Sequence, residues 1–259
     1  MDYEFIQVST DASVGILKLN RPDKFNAFTK EMHWEIIDAL KRLNKDVKVR
    51  SIVLTGAGKA FSAGQDLGEV QGNEIDYGQF LRERYNPMIL EMRKMEKPII
   101  AAVNGVAAGA GMSLALACDL RIASEKASFA NVFVNIGLIP DSGGCYFLPR
   151  IIGIGKALEL AVTGDKVSAE EAYRIGLVSK VYPAETFQSD VMEYAKKLAA
   201  LPTKGIGLIK RAMYQGLHMN LEEALEYEAF TQEIAGNTVD HQEGMAAFFE
   251  KRRPVFKGK

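Results

Sequence analysis

The sequence predicts an α/β protein that ends in a helical region. Up to about residue 195, short apolar runs bounded by glycine or polar residues alternate with segments whose apolar residues recur every three to four positions. From about residue 186 onward every segment reads as helix. With 259 residues, 47% of them hydrophobic, the chain can bury a substantial core. These observations divide it into an α/β core over 1–195 and a helical region over 196–259.

At the N-terminal end, "FIQVST" and "VGILKLN" are short apolar or alternating runs that read as a hairpin, and "RPDKFNAF" is a loop. Thr29 caps a helix carrying Met32, Ile36, Leu40, Leu43 and Val47. "SIVLTG" is a strand, and "KAFSAGQDL" is a small-residue loop leading toward a helix. Gly72, Asn73, Asp76 and Gly78 mark 72–78 as a flexible piece. A helix over 79–95 precedes the strand "IIAAVNG", and "AAGAGMSLALACD" is a glycine-loosened turn into a buried helix. "LRIAS" is a third strand of the same kind. Helices come next near "GCYFLPRIIG" and over "GKALELAVTG". The helix in "SAEEAYRIG" has Ser168 as cap, Glu171 at the capping-box position and Gly176 as terminator, and "LVSKVYP" is a strand. Helices over 186–200, 203–216, 221–235 and 239–251 complete the chain. Leu221, Leu225, Phe230, Ile234, Met245, Phe248 and Phe249 are more apolar surface than so short a tail encloses. The tail is expected to pack on the core, on a neighbouring subunit, or on both.

Composition excludes several classes of function. A formal net charge of -1 gives no general attraction to nucleic acid or to an anionic membrane, and no apolar run is long enough for a membrane span. "MDYEFIQVST" lacks the features of a secretory signal, and Cys118 and Cys145 lie in apolar stretches as reduced core residues, so the expected location is cytoplasmic. His33, His218 and His241 are far apart within helical segments, where solvent-facing positions are expected, and no metal site is expected. There is no G-x-S-x-G nucleophile elbow and no G-x-x-x-x-G-K-[ST] phosphate loop.

Chemistry concentrates in two turns and one carboxylate. "SAGQD" (62–66) and "AAGAG" (107–111) each come after a buried strand and lead toward a helix, where backbone N–H groups are unpaired. Two such donors converging on a carbonyl oxygen form an oxyanion hole. In "IGLIPDSGG" (136–144), Asp141 precedes a helix, and the residues alone make it a cap before an acid/base. Glu83 and Glu91 read as a solvated face, and Tyr85 as a contact to an acyl group. Lys251, Arg252, Arg253 and Lys257 form a basic end suited equally to solvent or to phosphates.

Over nearly its whole length the chain resembles the enoyl-CoA hydratase/isomerase (crotonase) family. The pieces that carry the resemblance are "LNRPDKFNAF", "VLTGAGKAFSAGQDL", "KPIIAAVNGVAAGAGMSLALACDLRIAS", "ANVFVNIGLIPDSGG", "VTGDKVSAEEAYRIGLVSKV" and "DHQEGMAAFFEKRRPVF". The resemblance implies a crotonase-like spiral of ββα units, a helical trimerisation region, homotrimers or homohexamers built as dimers of trimers, and an acyl-CoA thioester as substrate. Coenzyme A enters as part of that substrate and no covalently bound cofactor is implied. By motif position the thioester carbonyl would meet the backbone N–H groups of Ala63 and Ala110, with Gly109 beside the second. Lys24, Asn26, Ala27, Asp66 and Leu67 would lie along the CoA, and Gly64, Phe133, Ile139 and Pro140 would also belong to the CoA- and substrate-binding surface.

Hydratases of the family use two glutamates, at the positions that match Ser113 and Phe133 here, so neither carboxylate is present. Asp141 matches the aspartate of certain isomerases of the family. The resemblance is to the type that converts 1,2-epoxyphenylacetyl-CoA to oxepin-CoA and moves the double bond of a 3-enoyl-CoA to the 2-position. It implies an isomerase in which Asp141 moves the proton and the oxyanion hole holds the enolate. The alternatives are an enoyl-CoA hydratase with other catalytic residues and a non-catalytic RNA-binding or scaffold relative. The near-neutral charge, the intact turns and the presence of Asp141 speak against the last.

Overall fold

Alternation along β1 (Ile6–Asp11) and β2 (Val14–Leu19) pairs them as an antiparallel hairpin, Ile6 opposite Leu19. The computed structural model describes residues 3–69, 71, 72 and 74–259; Asn73, in the stretch expected to be flexible, lies outside them. Thr29 caps α1 (Lys30–Lys45), its hydroxyl accepting the Met32 N–H at 3.2 Å. The helix stops short of Val47, which is exposed.

Three ββα units come next. The first comprises β3 (Ser51–Gly56), β4 (Ala60–Ser62), α2 (Tyr77–Phe80), a π-helical turn Leu81–Tyr85 and α3 (Asn86–Lys94). The second is β5 (Ile99–Val103), β6 (Val106–Ala108) and α4 (Ala110–Ala117), and the third β7 (Leu120–Ser124), β8 (Ser128–Ala130) and α5 (Gly144–Ile152). Then come α6 (Ile154–Thr163), β9 (Lys166–Ser168), α7 (Ala169–Arg174), β10 (Lys180–Tyr182), α8 (Phe187–Ala199), α9 (Thr203–Gly216), α10 (Leu221–Gly236) and α11 (Val239–Phe249). Each unit lends its first strand to a six-stranded sheet, ordered β1-β2-β3-β5-β7-β10. Its second strand joins a four-stranded sheet, β4-β6-β8-β9. That handing of strands between two sheets is the spiral of ββα units, and the expected fold class is the observed one. The strands of the second sheet are three residues each, too short for a readable alternation, and the sequence presents them as loops and helix entries.

The large sheet is covered on both faces, which is why β3 and β5 read as unbroken apolar runs. Leu17, Leu19, Ile52, Leu54, Ala101 and Val103 share a core with α1, α3 and α4. Val14, Val53, Ile100 and Ile122 lie under Phe187, Val191, Ala195 and Ala199 of α8. The division drawn at residue 195 therefore falls inside a helix that belongs to the core. α9 is fixed to the core by Lys210, whose ammonium lies 2.7 Å from Asp119 Oδ2 and donates to the Met95 and Lys97 carbonyls. α10 and α11 bury Thr231, Asp240 and Ala247 but leave Leu221, Phe230, Phe248 and Phe249 exposed.

Three expectations change. His33 does not face solvent: it is fully buried, its ring 4.2 Å from that of Tyr85, and burial lowers its pKa to about 4. His218, just past the end of α9, and His241 are exposed as expected, with His218 meeting the Tyr146 hydroxyl at 2.6 Å. Cys118 is buried as expected, whereas Cys145 is exposed at the start of α5. Ser168 caps α7, but the Glu171 carboxylate pairs with Arg174 in place of closing a capping box. Among the described residues no helix is long and apolar enough to cross a membrane.

Candidate active site

The two glycine turns lie against each other. A methyl group on Gly64 would sit 2.9 Å from Ala108 O and 3.0 Å from Ala110 N, and one on Gly111 would meet the Ser62 carbonyl. Only glycine permits this approach. Gly64 (φ +92°) and Gly109 (φ +51°) also adopt backbone conformations that L side chains avoid.

Which amides in these turns are free is decided by tertiary hydrogen bonds. The Ala63 N–H donates to Phe25 O at 2.9 Å, so the donor expected there is already engaged. Gly64 N–H goes to Ser62 Oγ at 3.1 Å, and Gly109 N–H to Ala130 O at 3.0 Å. Phe28 and Gln65 form a parallel bridge in which Phe28 N donates to Gly64 O and Asp66 N donates to Phe28 O. That pattern uses the amides on either side of Gln65 and turns its own N–H away from Phe28. Ala110 occupies the first position of α4, where an N–H has no partner within the helix. Gln65 N–H and Ala110 N–H therefore have no acceptor among the described residues. Gln65, not Ala63, supplies the free amide of the first turn.

Asp141 is half-buried, and its Oδ1 accepts the Ser142 hydroxyl at 2.8 Å. Burial raises its pKa, and the Ser142 hydrogen bond offsets only part of that. It is not a cap: the N-cap of α5 is Gly143, and no backbone N–H of that helix reaches the Asp141 side chain. A carboxylate spared from capping and held partly out of water is poised for proton transfer.

The neighbours of this centre are apolar or neutral. Phe133 is buried, its ring tip 4.0 Å from a methyl placed on Gly109. Ser113 is buried on α4, its Oγ 2.9 Å from a methyl placed on Gly144, three residues after Asp141. The positions that carry glutamates in the family's hydratases thus lie beside the second turn and the Asp141 loop without a carboxylate. A cavity of about 470 Å³ continues past this loop, lined by Asn86, Ser142, Gly143, Tyr146, Phe147 and His218. A larger cavity, about 580 Å³, opens at Ile16, Val53, Ala102 and Phe187 and touches neither turn nor Asp141.

The residues expected to bind the CoA or the rest of the substrate separate into two groups. Lys24 is exposed, as are Leu67 and Ile139, with Pro140 half-buried beside the latter. Asn26 is wholly buried: its Oδ1 accepts Arg21 N–H, and its Nδ2 donates to the Ala57 and Ala60 carbonyls. With no exposed surface, its side chain is a brace between loops. Ala27 is buried with its carbonyl accepting from Arg21. Asp66 forms a 2.9 Å ion pair with Arg21. Burial pushes its pKa up, but the Arg21 and Gly68 hydrogen bonds outweigh this and hold it below the usual range. Glu83 is exposed and Tyr85 is buried in the core. At the basic end, Arg252 is committed to Glu243 and Glu250. Among the described residues no cluster of side chains suits a metal ion.

Comparison with known proteins agrees with the spiral. Residues 9–259 match the family model described as enoyl-CoA hydratase/isomerase. The 1,2-epoxyphenylacetyl-CoA isomerase of Escherichia coli K12 is 42% identical, covering 99% of both chains. A probable enoyl-CoA hydratase of Rhodobacter capsulatus is 39% identical over 100% of both. The crystal structure of enoyl-CoA hydratase subunit I from Geobacillus kaustophilus HTA426 superposes with a TM-score of 0.94 at 38% identity, covering 100% of both chains. The chain belongs to the enoyl-CoA hydratase/isomerase family. It is an enzyme of CoA-thioester chemistry.

Proposed function

We propose that the protein is an acyl-CoA isomerase that moves a proton, and with it a double bond, along a CoA thioester. The observation that carries this reading is the carboxylate inventory: Asp141 is half-buried and free of capping, while Ser113 and Phe133 stand where a water-adding pair would be. Gln65 N–H and Ala110 N–H receive the thioester oxygen. Asp141 takes a proton from the carbon next to the carbonyl, and the electron pair passes to that oxygen as an enolate. For a 3-enoyl thioester the same carboxyl returns the proton to the γ-carbon, leaving the 2-enoyl product with no net gain or loss of atoms. The cavity beside Asp141, walled by Tyr146 and Phe147, suits the far end of the acyl group. An aromatic ring epoxide such as 1,2-epoxyphenylacetyl-CoA is the more specific substrate suggested by the Escherichia coli relative.

A second reading is hydration of a 2-enoyl-CoA, favoured by the names of the Rhodobacter and Geobacillus relatives. Product mass separates the two. Purified protein is given matched 3-enoyl-CoA and 2-enoyl-CoA: isomerisation leaves mass unchanged, whereas hydration adds one water. Hydration of the 2-enoyl thioester without isomerisation of the 3-enoyl one defeats the isomerase reading. For the assembly we propose a homotrimer, alone or paired as a hexamer, which would cover the exposed Phe230, Phe248 and Phe249.

A further inference from the structure

We propose that Tyr85 is a positioning residue of this site: its hydroxyl fixes the Gln65 side chain, and thereby the Gln65 N–H that faces the thioester. The proposal rests on the reading of Gln65 and Ala110 as the donor pair.

Tyr85 is 1% exposed, and its ring is held by Phe28, His33 and Phe80. A phenylalanine would fill that space. The hydroxyl costs desolvation unless it is bonded, and its one partner among the described residues is Gln65 Oε1 at 2.8 Å. On the other side of the same amide, Gln65 Nε2 donates to Asp66 O and to Glu69 Oε2, both at 3.2 Å. Gln65 is thus gripped by its side chain while its backbone N–H stays free. The bond is delivered by an unusual local structure. Tyr85 ends the π-helical turn, where Asn86 N–H reaches back to Leu81 O. One extra residue in a turn rotates the rest of the helix by about 100° relative to an unbroken α-helix. Such turns are rare and concentrate at functional sites. Burial, and then the nearby Asp141 charge, push the Tyr85 pKa well above its ordinary value, so the hydroxyl stays a donor at working pH.

The test uses a saturated acyl-CoA, carbon-13 labelled at its carbonyl, whose C=O stretch reports polarisation by the donor pair in an infrared difference spectrum. The parent should show a clear shift to lower frequency on binding, and Asp141→Asn should keep it. Tyr85→Phe should lose much of the shift and about tenfold in kcat, with KM changed much less. Gln65→Met, which removes the acceptor and keeps the volume, should do the same, and the double variant should be no worse than either single one. If Tyr85→Phe folds and keeps the parent's shift and kcat, Tyr85 is a core residue and the proposal is overturned. The same result from Gln65→Met overturns it independently, should Tyr85→Phe fail to fold. Absence of any shift in the parent overturns the donor-pair reading, and this proposal with it.

Discussion

The two turns that meet at the candidate site look alike in sequence but are held in different ways. The first, Ser62–Asp66, is braced by side chains from far along the chain: Asn26 on the neighbouring loop, Arg21 on Asp66 and Tyr85 on Gln65. The second, Ala107–Gly111, has no polar side chain and is held by pairing of β6 with β8 and by the start of α4. In the second turn the free amide comes from local geometry, because the first N–H of a helix lacks a partner within the helix. In the first it is whichever N–H the distant acceptors leave unused. A turn defined locally can be read from its own residues; one defined by tertiary bonds cannot.

On the proposed mechanism both turns serve one carbonyl while the proton is handled elsewhere, and Asp141→Asn tests that separation most strongly. The substitution leaves both turns untouched and should lower kcat by about 10³-fold while acyl-CoA binding persists. The pH dependence sharpens it. Asp141 must be ionised to accept a proton, and its pKa lies above the ordinary aspartate value of about 4, so the acid limb of kcat/KM should fall above that value and vanish in the variant. Stability runs in the opposite sense. A carboxyl whose folded pKa is raised binds its proton more tightly when folded, so its contribution is complete below the unfolded pKa and is lost as pH rises through the folded one. Asp141→Asn should therefore raise the thermal midpoint at pH 7 and leave it unchanged near pH 3. No rise at pH 7 would mean the carboxylate carries no burial cost.

The same substitution in each turn should give different results. Gly109→Ala imposes backbone strain only, since the new methyl has no neighbour closer than 3.7 Å. It should cost about 1–3 kcal/mol of stability. Gly64→Ala adds contacts of 2.9 and 3.0 Å to backbone atoms of the second turn, which must then move. Displacing the donors should cost about 10²-fold in kcat/KM beyond any loss of stability. Equal kinetic losses in the two variants would show that strain matters and the close approach does not.

Legibility in the sequence divides along the same line between local and tertiary. Strands β3, β5 and β7 and the long helices announce themselves by apolar runs, period and caps such as Thr29. The second sheet does not, because three-residue strands such as Val106–Ala108 carry no pattern. Ala110 is readable as a donor because it opens α4. Ala63 is not the donor its motif position implies, because its acceptor, Phe25, belongs to the loop before α1, which nothing in "SAGQD" reveals. Asp141 precedes a helix and so has the credentials of a cap; that its carboxylate is spared depends on the chain turning at Gly143 before the helix begins. A histidine within a helical period, such as His33, gives no local sign of burial, which depends here on Phe28 and Tyr85 closing over it.

The mildest test removes one oxygen from the first turn. Ser62 is fully buried; its hydroxyl donates to Asn26 O at 2.8 Å and accepts Gly64 N–H at 3.1 Å. Ser62→Ala leaves a buried carbonyl and a buried amide unpaired without opening a large cavity, a cost of about 1–2 kcal/mol. A urea denaturation midpoint measures it. The second turn offers no counterpart, since Ala107 and Ala108 already lack a polar side chain, and its stability should be insensitive to changes of that kind. The Gly64 N–H released by the substitution also becomes a competing donor beside Gln65, so turnover should fall a few-fold although no catalytic group has changed. If Ser62→Ala matches the parent in both stability and turnover, the first turn does not depend on its side-chain bracing, and the two turns are held alike after all.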